Sequence, residues 1–152
     1  MNKEDIEKRV VEKFLKNRRD VVDERDIISN PEEDSIVDVF YKEEKFQIIQ
    51  GDFDLIKTRH TIPKNSGEMM SWRPPNEVFD KLILEPLKKK NEMYKESAKG
   101  IILLINSDLD YVEDFWVKDD IKGYNDCGWG FNIYFDEVHL VCPGENILVY
   151  QV

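Results

Sequence analysis

The run Ile101-Ile102-Leu103-Leu104-Ile105 constrains the fold more than any other stretch, because it is apolar at every position. In a strand, successive side chains point to opposite faces, so such a run serves a central strand covered on both sides. It is the longest uninterrupted apolar run of the chain. Five residues cannot cross a bilayer, and no segment is expected to span a membrane.

Elements that could cover that strand lie on either side of it in the sequence. Asn2 is placed to cap a helix in which Ile6, Val10, Val11, Phe14 and Leu15 form one apolar stripe. The charged stretch from Asn17 to Pro31 holds only Val21-Val22 and Ile27-Ile28 as apolar pairs, which suits an edge strand or a long connection. Residues 35–41 favour a strand, Lys42-Glu43-Glu44 a tight turn, and residues 45–50 its hairpin partner. A long helix is expected from near Asn76, carrying Val78, Leu82, Ile83, Leu87, Tyr94 and Ala98, with a kink or break at Pro86 and a stop at Gly100. Beyond the central strand, 131–135, 138–141 and 147–152 read as strands, the last two joined by a turn at 142–146. The fold class is therefore α/β (α+β): a mixed central β-sheet flanked by helices, in a single domain, 1–152.

Charge narrows the partners. With a net charge of −10, the chain is poorly suited to grip phosphate backbones unaided, so nucleic acid is an unfavourable partner without a metal. A basic protein partner fits better, and Asp108, Asp110, Glu113, Asp114, Asp119, Asp120, Asp126 and Asp136 lie among Tyr111, Phe115, Trp116, Tyr124 and Trp129 as such a surface would require. Core rings with solvated acids are the simpler explanation of the same pattern. Asp108-Leu109-Asp110 lacks the glycine and closing glutamate of a calcium loop. The two cysteines, Cys127 and Cys142, suggest no disulfide framework, and with no apolar leader before the first helix the expected location is cytoplasmic. His60 and His139 have no regular metal-ligand spacing, and the cluster Met69, Met70 and Trp72 sits in a Pro-flanked loop open to several uses.

The hairpin carries the chemistry-bearing pattern. Asp38 lies in its first strand and Phe46-Gln47-Ile48-Ile49-Gln50 in its second, with Asn30-Pro31-Glu32-Glu33-Asp34 upstream. The order of elements and these residues resemble the restriction-endonuclease-like, or PD-(D/E)XK, superfamily. There an Asp on one strand and a Glu or Asp on the next bind a divalent cation, and a Lys two residues on activates water. The resemblance implies that Asp38 is the metal-binding acid, that Gln47 takes the place of the second catalytic acid and that Ile49 stands where the lysine belongs. A degenerate active site follows, in a noncatalytic or accessory protein. One alternative is an active nuclease using Asp38 with Mg or Mn, its ammonium supplied by Lys45 or Lys57; another is an acidic binding or inhibitor protein for a basic partner.

Overall fold

The computed structural model describes residues 2–51, 79–107 and 111–152. Helix α1 (Lys3–Asn17) begins as the sequence predicts, with the Asn2 side chain accepting a hydrogen bond from the Asp5 amide at 2.9 Å. It lies on one face of a six-stranded sheet whose spatial order follows the chain. The strands are β1 (Ile27–Ser29), β2 (Val39–Tyr41), β3 (Glu44–Gln50), β4 (Ile102–Asn106), β5 (Glu137–Cys142) and β6 (Glu145–Gln151).

β4 pairs in parallel with both β3 and β5, while the outer pairs are antiparallel. Parallel neighbours cannot be joined by a hairpin and need a long crossover. The stretch before β4 includes a π-helical turn (Asp80–Leu84), α2 (Glu85–Tyr94) and a 3-10 turn (Lys95–Ala98); α3 (Tyr111–Cys127) joins β4 to β5. The expected mixed sheet flanked by helices is what forms.

Alternation along β4 divides the core in two. Ile102 and Leu104 join Val10, Val11, Phe14 and Leu15 of α1, together with Phe46 and Ile48. Leu103 and Ile105 face the other way, toward Leu82, Ile83, Leu87, Val117 and Ile121. Both layers are closed to water, since Leu103, Leu104 and Ile105 are all buried.

One local expectation changes, and two further features of the chain take definite form. Residues 131–135 form no strand: Gly128 and Gly130 take positive φ beside them, and Asn91 of α2 accepts from the Tyr134 amide and donates to the Asn132 carbonyl. The acid-rich stretch after β4 is a helix, because a buried side formed by residues such as Val117 and Ile121 packs on the sheet. Where a kink or break is expected at Pro86, the π-helical turn gives way to α-helix within one continuous helical segment. Among the described residues no helix is long and apolar enough to cross a membrane.

Gly51 leaves β3 under close contact, its amide donating to the Asn106 carbonyl at 2.7 Å. A Cβ there would stand 2.5 Å from that carbonyl oxygen and 2.7 Å from Leu82 Cδ1. Gly51→Ala is expected to cost about 1–3 kcal/mol, seen as a lower urea midpoint at unchanged slope.

Candidate functional site

Asp38 immediately precedes β2 and is fixed on both sides by backbone bonds, its amide to the Phe46 carbonyl at 2.8 Å and its carbonyl to the Asn30 amide at 2.9 Å. The carboxylate is likewise engaged. Oδ2 accepts from Gln47 Nε2 at 2.8 Å and from the Ile48 amide at 2.9 Å. Gln47, on β3, is 3 % exposed and gives its other amide hydrogen to the Ile36 carbonyl at 2.9 Å. Turning the amide over would set its oxygen against two acceptors, so the network fixes its orientation. Gln47 Oε1 is then a buried acceptor with no partner among the described residues.

Glu7 completes this arrangement from α1. It is 8 % exposed, yet carries a carboxyl group beside that of Asp38. Burial, then the Asp38 charge, pushes the Glu7 carboxyl up to about 7, with Lys3 opposing and a hydrogen bond to Asp38 adding to the rise. Below about pH 7 Glu7 therefore keeps its proton beside Asp38. Asp38 also reaches the phenol of Tyr94, whose ionisation burial and that negative charge both disfavour.

The proton on Glu7 makes stability depend on pH. A carboxyl group that holds its proton more tightly in the folded chain contributes stability that is complete below the unfolded value of 4.5 and lost as pH rises through about 7. Glu7→Gln removes that titration and keeps a neutral donor toward Asp38. It is expected to melt about 5 °C above the parent at pH 8 and to converge with it near pH 5, by differential scanning calorimetry.

Ile49, where the resemblance calls for a lysine, is half-buried against the core and pairs with Ile105 of β4. Lys45 is exposed on the hairpin. The catalytic trio expected there is thus replaced by a carboxylate, an amide and an apolar side chain. Among the described residues no three His, Cys, Asp or Glu side chains converge on a possible metal position.

Other candidates take structural places. His139 is 12 % exposed, with Nε2 at 2.9 Å from Glu137 Oε1 and its ring 4.8 Å from that of Phe14. Burial lowers its proton affinity despite Glu137. Cys142 is buried and Cys127 exposed, both as thiols. Tyr124 and Trp129 both stack on buried Phe79, with centroids 5.0 and 6.2 Å from it, and Asp136 accepts from the Gly100 amide. Lys57, His60, the Met69, Met70 and Trp72 cluster, Asp108 and Asp110 lie outside the described residues, as do the side chains of residues 111–116.

No protein-family model and no curated protein matches the chain. A solved structure from Pseudomonas aeruginosa strain PAO1 does, with a TM-score of 0.57 and 15 % identity over 99 % of this chain and 74 % of that one. It is described as a protein of unknown function of the monooxygenase superfamily. At that identity the likeness concerns the fold alone. It corrects the restriction-endonuclease-like assignment, because the matched fold bears another superfamily's description. The degenerate-nuclease and active-nuclease readings fall with it.

Proposed function

We propose that Glu7, Asp38 and Gln47 form a binding site for a single hard divalent cation, Mg or Mn, which enters by displacing the Glu7 proton. The observation that carries this is the buried Oε1 of Gln47, without a partner among the described residues, on an amide whose two hydrogens are already committed to Asp38 and Ile36. An acceptor buried without a partner costs about 1–3 kcal/mol, which an oxygen-seeking cation would recover. Two carboxylates and an amide oxygen are hard donors of the kind these ions take, with water filling the remaining positions.

Glu7 favours an exchange of proton for cation, since a carboxyl group that titrates near neutrality gives up its proton at little cost. A cation held there would polarise an oxygen group bound beside it. The matched Pseudomonas protein is itself of unknown function, so the proposal rests on these three side chains.

Thermal melting with manganese tests it. At a concentration a hundred times Kd, stabilisation of about 2.7 kcal/mol is expected, a rise of roughly 5–10 °C for a chain of this size. Asp38→Ala should show no rise above its own baseline. Equal shifts in parent and variant, or none in the parent, would dismiss the site.

A further inference from the structure

We infer a second binding site, for a small planar aromatic carboxylate, in the cleft between α2 and the irregular segment that leads into β5. The cleft encloses about 190 Å³. That is room for one ring with its substituent. Its lining includes Lys88, Asn91, Glu92, Lys95, Phe131 and Tyr134.

The floor is rigid. Asn91 is 3 % exposed and joins the two walls, donating to the Asn132 carbonyl at 2.8 Å and accepting from the Tyr134 amide at 3.3 Å. Each end of its amide is thus engaged once, which fixes its orientation in the floor. The half-buried rings of Phe131 and Tyr134 supply the walls. Phe131 is backed edge-on by Trp129, their centroids 6.4 Å apart, and Trp129 stacks on buried Phe79 and lies tilted against Tyr124. A ring entering the cleft would therefore meet an aromatic surface that is already held in place.

The rim selects charge. Lys88 stands 5.9 Å from the Phe131 centroid, and Lys95 joins it against the single acid Glu92. On a chain of net charge −10 this is a local excess of positive charge. It favours an anion attached to the ring, since the ammonium that already lies by Phe131 can meet a carboxylate on a ligand stacked there. The site is separate from Glu7, Asp38 and Gln47 and does not depend on the cation.

Benzoate is the probe, with benzamide and cyclohexanecarboxylate as its uncharged and non-planar counterparts. In nitrogen-proton correlation spectra of the full chain, benzoate should shift the Trp129 indole and Asn91 side-chain amide signals along one saturable curve. A ligand of this size sets Kd on the order of 0.1–10 mM. Both counterparts should bind at least fivefold more weakly, and exposed Lys88→Gln should lose a similar factor while leaving the unliganded spectrum otherwise intact. Shifts that do not saturate, that benzamide reproduces at the same concentration, or that Lys88→Gln leaves unchanged would overturn the assignment. Phe131→Leu gives an independent reading: weakened binding supports stacking, and undiminished binding excludes it.

Discussion

Phe14→Ala is expected to cost about 3–5 kcal/mol, among the largest losses available to a single substitution on α1. Phe14 is 1 % exposed and meets Phe46 edge-on at 5.8 Å and the His139 ring at 4.8 Å, with the Arg18 guanidinium 5.1 Å from its centroid. Truncation leaves a cavity bounded by β3 and β5, which hydrogen bonding to their neighbours prevents from collapsing. It also removes the ring beside Arg18, although that guanidinium keeps Asp20 and Glu44. A fall in melting temperature of roughly 10–15 °C is expected, against little change for Ile28→Ala at the exposed sheet edge. A small loss at Phe14 would mean that α1 contributes little to the sheet it covers.

Asp38→Ala is expected to remove cation binding and also to cost about 2–4 kcal/mol, because it leaves Gln47 Nε2 without one partner and the Ile48 amide without its acceptor. Asp38→Asn separates the two effects. Its oxygen can occupy the Oδ2 position and accept both bonds, so folding stability should stay within about 1 kcal/mol of the parent. Its NH2 group then stands where the second oxygen was, meeting a cation with a donor. Manganese affinity should fall at least tenfold, about 1.4 kcal/mol, as measured by calorimetric titration. An asparagine variant that binds as the parent does would remove Asp38 from the ligand set.

The central strand was legible because Ile101 to Ile105 leaves no polar face, and the α1 stripe because Val10, Val11, Phe14 and Leu15 are all buried. At the start of that stripe, however, Ile6 is 38 % exposed and Glu7 is buried. Spacings of three and four from Val10 and Val11 lead back to Glu7, so the periodicity pointed to it; the carboxylate was passed over because an acid on an apolar stripe needs a partner, and Asp38 is thirty-one positions away. α3 was missed because its acids dilute a pattern in which Val117, Ile121 and Tyr124 recur at helical spacing. Its existence could have been inferred from the central strand, whose burial on both faces favours parallel pairing and hence a helical crossover. The aromatic alternation of 131–135 misled in the opposite direction, since period two is also produced by a segment whose rings and amides are fixed individually by α2 and the Trp129 stack. Asp38 and Gln47 were brought together as the hairpin predicted, but the chemistry assigned to them came from a resemblance that the matched fold does not support.

Calorimetric titration with manganese at pH 6 and pH 8, repeated in buffers of different ionisation enthalpy, tests the Glu7, Asp38 and Gln47 site most directly. With Glu7 titrating at about 7, binding should release close to one proton at pH 6 and almost none at pH 8, and affinity should increase over that interval. Both the proton release and the pH dependence should disappear in Glu7→Gln. Binding without proton release at pH 6, or release unchanged in that variant, would contradict displacement of the Glu7 proton by the cation.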